Sequence, residues 1–266
     1  MGKYSGIILF SDFDGTLFYG KKKEASKENA DAIRYFQENG GRFTLATGRY
    51  PNILDRYADR CNGIRVNAPM IAGNGCIVYD HEAKKQLFSA NVTSDLTPLV
   101  FEAISRCPNI KYIDFFPQEP WSSIRVEKDD AESITSIMNN SPHKMYFTLI
   151  LDDEQPEIAL KQSDESRAIF DSVVGDDSYQ VFRASIAGIE ILPKGVSKGS
   201  HVRNIARSLG CDTVVCVGDY ENDAAMIKEA DIGYAMGNSH PSLFAVADRI
   251  APRVEDHAIA KIISEL

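Results

Sequence analysis

Asp12-Phe-Asp14-Gly-Thr16 sets two carboxylates two positions apart, directly behind the apolar run Gly6-Ile-Ile-Leu-Phe-Ser11. Gly15 permits a sharp turn at that point. Such a pair suits a nucleophile with an acid/base partner, or metal ligation. The plainer alternative is an acidic turn capped by Thr16, but a lone Asp-x-Asp is common and this pentad behind such a run is much rarer.

Three more groups have types and spacing that fit the same chemistry. In Ala46-Thr47-Gly48-Arg49, the glycine lets backbone N–H groups approach an anion, and Arg49 adds charge. Thr47 reads either as a phosphate contact or as a helix N-cap. Lys198, in Gly195-Val-Ser-Lys-Gly199, falls in the first turn of an expected helix, where the dipole opposes a cation by roughly 0.3–1 kcal/mol. A residue that breaks a local rule often answers to an anion or carboxylate, although a solvated lysine is the simpler reading. Gly218-Asp219-Tyr-Glu-Asn222-Asp223 brings two carboxylates and an amide, hard oxygen donors suited to Mg²⁺, although acidic residues also favour helix starts for dipole reasons alone.

The elements that must position these residues follow from apolar periodicity. Residues 6–11 read as a strand covered on both faces, with Asp12 at its carboxyl end. Ser26 can cap a helix with apolar positions Ala30, Ile33 and Phe36, ended by Asn39-Gly-Gly41, and residues 42–46 form the next strand. Near the other end, Val202, Ile205, Ala206 and Leu209 form a helical stripe closed by Gly210, and residues 213–217 form a strand that ends at Asp219 as the first ends at Asp12. A helix through Ala225, Met226 and Ala230, a strand at 232–235 and a terminal helix through Ile259, Ile262 and Ile263 complete the alternation.

This rhythm predicts an α/β fold, a doubly wound parallel sheet built from 1–84 and 191–266. Carboxyl-end loops of such a sheet converge on one crevice, so the four groups are expected together. The middle, 85–190, reads as an inserted α+β module: helices near 95–106, 130–139 and 165–173, and strands near 111–116, 122–126, 144–151, 179–184 and 188–192. Within it Arg125, Lys144 and Trp121 are candidate contacts for a phosphorylated ligand, with structural or solvated roles as the alternative.

The whole chain narrows the classes. Its 266 residues, 44% hydrophobic, can bury a substantial core. Five cysteines without Cys-x-x-Cys spacing and a beginning without signal-peptide layout fit a reduced, cytoplasmic compartment, and no apolar run reaches membrane-spanning length. A net charge of −9 argues against nucleic-acid binding, which needs concentrated positive charge. The Walker phosphate-loop pattern is absent, and the five histidines lack zinc-site spacing.

The four groups occur in the order of the four motifs of the haloacid dehalogenase superfamily, and the chain most resembles its Cof-type phosphatases. Ile71-Ala-Gly-Asn-Gly-Cys76 looks like the Asn-Gly stretch of that family, and the insert resembles its C2-type cap. Cys76, where alanine is commoner, and Tyr220, in place of a small residue, are mild departures. The resemblance implies a Mg²⁺-dependent phosphatase of small phosphorylated metabolites, sugar phosphates or phosphorylated cofactors. Asp12 is then the nucleophile that becomes an aspartyl phosphate, and Asp14 the acid/base. Mg²⁺ is held by the Asp12 side chain, the Asp14 backbone carbonyl and Asp219; Thr47, Gly48, Arg49, Lys198 and Asn222 meet the phosphate; Asn222 and Asp223 serve metal water or orient Lys198; the cap sets specificity. A phosphomutase of the same superfamily and a non-catalytic metabolite-binding protein are the alternatives. A dehalogenase is disfavoured by Asp14, which the hydrolytic dehalogenases lack.

Overall fold

The computed structural model describes residues 2–19, 24–152, 154–175 and 178–266. Its strands, in chain order, are β1 (Ile7–Ser11), β2 (Arg42–Leu45), β3 (Met70–Ala72), β4 (Ile77–Asp80), β5 (Lys85–Ser89), β6 (Ile110–Phe116), β7 (Ile124–Glu127), β8 (Lys144–Leu149), β9 (Tyr179–Ser185), β10 (Gly188–Pro193), β11 (Thr213–Gly218), β12 (Ile232–Ala235) and β13 (Arg249–Ile250). Two compact units emerge: Met1–Phe88 with Ser197–Leu266, and Ser89–Val196.

In the first unit, β13-β12-β11-β1-β2 form a parallel sheet. The central strands are apolar throughout because both faces are covered: Ile8, Leu9, Phe10, Val215, Cys216 and Val217 are fully buried. Helix Lys27–Glu38 follows from its sequence. Ser26 Oγ accepts from Asn29 N at 3.1 Å, a cap worth about 1 kcal/mol, and Ala30, Ile33 and Phe36 turn into the core. The terminal helix Ala258–Glu265 buries Ile259, Ile262 and Ile263 in the same cluster. Chain order reverses between β11 and β1, so the loops after these strands flank the topological switch point.

A second sheet, β3-β4-β5, also belongs mostly to this unit. Sequence reading gave no strands here, because these segments are short and β5 is exposed along its whole length, without an apolar stripe to mark it.

The inserted unit is the sheet β7-β6-β8-β10-β9, all antiparallel, with helices Thr97–Arg106, Ala131–Met138 and Pro156–Val174. Val100, Ala103, Ile134, Met138 and Phe170 share a core with Ile113, Phe115, Met145, Phe147, Ile189 and Ile191, so one sheet face carries the helices. The unit begins and ends later than 85–190, since β5 still pairs with β4 and Lys194 N still donates to Ser178 O at 2.8 Å. Helix Pro156–Val174 starts well before the expected 165; Ile158 and Leu160 in its early turns are exposed, and its start is marked by Pro156 in the first turn instead of periodicity. Among the described residues no helix is long and apolar enough to cross a membrane.

Candidate active site

Asp12 leaves β1 with its N–H donated to Val217 O at 2.9 Å, which ties it to the end of β11. Asp219 follows β11 directly. Gly15 brings the two loops together: its φ is +82°, and a Cβ there would overlap the Asp219 carboxylate. Thr16 Oγ1 donates to Asp219 Oδ1 at 3.4 Å, so Thr16 serves the second acidic loop instead of merely closing its own turn.

Lys198 enters from the turn Lys198–His201, which runs into helix Val202–Ser208. Its ammonium, 2% exposed, donates to Asp12 Oδ1 and Asp223 Oδ1, both at 2.6 Å. The unfavourable placement by the helix dipole is thereby compensated. Burial alone would lower the Lys198 pKa, but Asp12 and Asp223 reverse this and raise it. Asp223 Oδ2 accepts from Asp219 N at 2.9 Å and Tyr220 N at 3.1 Å, so both Asp223 oxygens are engaged in holding Lys198 and the loop.

Asp12, Asp219 and Asp223 have carboxylate oxygens within 4.8 Å of one another. When all are ionised, three negative charges face the one ammonium of Lys198, an excess of two. Burial holds the Asp12 carboxyl well above its ordinary range despite Lys198, with Asp223 and Asp219 adding to the rise. Burial and Asp223 push Asp219 up to about 7.

Asp14, the second carboxylate of the pentad, faces elsewhere. Arg49 binds it bidentately, Nε to Oδ2 at 2.5 Å and Nη2 to Oδ1 at 2.7 Å, with the Tyr57 ring centroid 5.8 Å from the guanidinium. Thr47 is 1% exposed; its Oγ1 accepts from Arg49 N at 3.2 Å. The helix N-cap reading of Thr47 does not hold: no helix starts behind it, and the hydroxyl closes a turn two residues on. Accepting that bond leaves the hydroxyl proton to donate. Asn222 Nδ2 donates to Asn74 Oδ1 at 3.1 Å.

Sequence reasoning missed two residues. Asn238 donates to Gly15 O at 2.9 Å and accepts from Val254 N at 2.9 Å, pinning the Asp12 loop; only its place in Gly237-Asn-Ser239, a turn-like triplet, hints at it. In the sequence, Asn74 stands out only as part of the Asn-Gly stretch 71–76.

A family model described as haloacid dehalogenase-like hydrolase matches residues 9–263, which takes in every residue of this cluster. The chain belongs to that family. Among its relatives is "Putative phosphatase YxeH" of Bacillus subtilis, 29% identical over 275 aligned positions that span 97% of each protein. Another is 5-amino-6-(5-phospho-D-ribitylamino)uracil phosphatase YcsE of the same species, 24% identical over 96% of this chain and 94% of that one. The fold matches that of the solved subclass IIB sugar phosphatase BT4131 with a TM-score of 0.77, at 19% identity, over 97% of this chain and 98% of that one. Residues brought together after β1 and β11 are thus the polar centre of a haloacid dehalogenase-like hydrolase.

Proposed function

We propose that this hydrolase is a Mg²⁺-dependent phosphatase of small phosphorylated metabolites, acting through a phospho-aspartate on Asp12. The observation that carries the reading is the buried carboxylate cluster with one shared ammonium: an anionic nucleophile set among groups two negative charges in excess. Oxygen donors only, and a charge deficit of two, fit a divalent hard cation. The Asp12 side chain, the Asp14 backbone carbonyl and Asp219 are its ligands in this reading; Asp223 is committed to Lys198 and to two backbone N–H groups. When bound, Mg²⁺ supplies Lewis-acid stabilisation of phosphoryl charge.

Asp12 needs no activating base: burial and the neighbouring carboxylates hold its pKa up in this structure, and a divalent cation against the cluster would offset both and favour the ionised form that attacks. Its oxygen forms a bond to phosphorus while the P–O bond to the alcohol breaks, and Asp14 gives its proton to the departing oxygen. Water then attacks phosphorus, Asp14 takes its proton, the bond to Asp12 breaks, and orthophosphate leaves. Lys198, Thr47 and the N–H groups around Gly48 hold phosphoryl oxygens, the preorganised donors on which such transfer depends. Both oxygens of Asp14 are held by Arg49, so Arg49 must first exchange that carboxylate for the arriving phosphate. The inserted unit is assigned recognition of the alcohol. A relative named for a phosphoribitylamino-uracil and a structural neighbour named for sugar phosphate hydrolysis support an ester of a sugar or of a polyol chain, with or without an attached ring.

Phosphate release from a panel of sugar, polyol, nucleotide and cofactor phosphates, with Mg²⁺ and with chelator, tests this. Release that requires the cation and is absent from Asp12→Asn supports it; substantial turnover by clean Asp12→Asn protein overturns the phospho-aspartate.

A further inference from the structure

The turn between β3 and β4, Gly73-Asn74-Gly75, carries none of the chemistry above, yet it touches three of the loops that do. Asn74 N donates to Thr47 O and Gly73 N donates to Arg49 O, each at 2.9 Å, so the back of the Thr47–Gly48–Arg49 loop hangs on this turn. Asn74 Oδ1 receives Asn222 Nδ2 at 3.1 Å, from the loop after β11. His201 Nε2 donates to Gly75 O at 3.0 Å, from the turn that bears Lys198. Gly75, at φ +100°, lets Ser197 O approach so closely that a Cβ would overlap it.

Asn74 itself is 2% exposed and left-handed, with φ 57° and ψ 33°. Asparagine is among the few residues with a side chain that tolerate this conformation. A buried polar side chain that joins Asn222, lies against Gly48 from a second loop and sits in a backbone region few residues adopt points to a positioning role.

We infer that Asn74 is a positioning residue for the phosphate subsite: it sets Thr47 and Gly48 in register with Asn222. The inference rests on the phosphatase reading, and assigns a role that the catalytic steps leave open. Loops placed independently by two strands, β2 and β11, need a common reference if their donors are to meet one phosphoryl group, since displacement on the ångström scale weakens catalysis severely.

The experiment uses the full chain as wild type, Asn74→Gly, Asn74→Asp, Asn222→Ala and the Asn74→Gly/Asn222→Ala double variant. Glycine keeps the left-handed backbone and removes the side chain; aspartate keeps the acceptor for Asn222 and sets a negative charge behind the anion loop. The readouts are kcat and KM for p-nitrophenyl phosphate, Ki for orthophosphate, and the thermal midpoint. Asn74→Gly is expected to raise KM and Ki about ten-fold, the scale of a buried hydrogen bond left unmade. Asn222→Ala is expected to add less in the Asn74→Gly background than it costs alone, because the two share one interaction. Unchanged KM and Ki in folded Asn74→Gly, additive effects, or a fall in apparent kcat alone, which reports fewer folded molecules, overturn the inference. Should Asn74→Gly not fold, Asn74→Asp decides by the same KM and Ki. If the wild type hydrolyses no ester, the phosphatase reading fails, and calorimetric titration with orthophosphate still decides: weaker binding by the Asn74 variants supports the inference, and equal binding overturns it.

Discussion

Each unit of this protein buries a lysine ammonium against carboxylate, and the two surroundings differ. In the inserted unit Lys144, 1% exposed, donates to Glu190 at 2.6 Å and lies 4.3 Å from the Phe116 ring centroid, all on β8, β10 and β6 of one sheet. In the first unit Lys198 is shared by Asp12 and Asp223, with Asp219 alongside. Charge matched within a sheet is a packing solution. Charge left in surplus by three converging loops is a capacity to bind something positive and to act on something else. That contrast separates one sequence candidate, Lys144, from another, Lys198, although both are buried lysines.

Turnover breaks or sharpens the contrast most strongly. Lys198→Met is expected to lower Mg²⁺-supported p-nitrophenyl phosphate hydrolysis about 10³-fold, the scale of losing a preorganised donor at a charged transition state. Lys144→Met should leave hydrolysis per folded molecule within a few-fold. Steady-state kinetics corrected for folded fraction measures both, and equal losses would erase the distinction.

Stability is the next largest effect. Lys144→Met alone leaves the Glu190 carboxylate buried without its ammonium, at about 3–5 kcal/mol, whereas the double variant Lys144→Met/Glu190→Leu should recover most of this. Urea unfolding of wild type, single and double variants reads the difference. A double variant as unstable as the single would mean that the pair contributes more than neutralisation.

How far sequence reaches also divides along this line. The places of Asp12, Thr47, Lys198 and Asp219 in the fold were legible because each stands at a strand end or helix start that apolar periodicity locates. Helix Lys27–Glu38 was legible from its Ser26 cap and the Ala30, Ile33, Phe36 stripe. Side-chain partnership was not: Arg49 reads as a phosphate ligand, and only the fold brings it onto Asp14, thirty-five positions away. Lys144 and Glu190 meet across β8 and β10, a register that no local pattern encodes. Asn74 and Asn238 act through single amides on backbone atoms of distant loops, and an asparagine in a turn carries too little pattern to reveal that.

The smallest expected effect concerns pH, where the two units should respond with opposite sign. Burial lowers the pKa of His143 in the inserted unit, so below the unfolded value of 6.5 the unfolded chain binds the proton more readily, and the contribution to stability present above 6.5 is lost as pH falls through the folded value. Asp219 in the first unit is raised to about 7 from 3.8, so in chelator the folded chain holds that proton more readily; its contribution is fully present below 3.8 and is lost as pH rises through about 7. Urea midpoints at pH 5.5 and pH 8, in chelator, for wild type, His143→Asn and Asp219→Asn isolate the two. His143→Asn should gain on wild type at pH 5.5, and Asp219→Asn should gain at pH 8. The same sign for both would mean that the surplus charge of the site is neutralised by the chain itself, and the case for a cation there would lose its electrostatic basis.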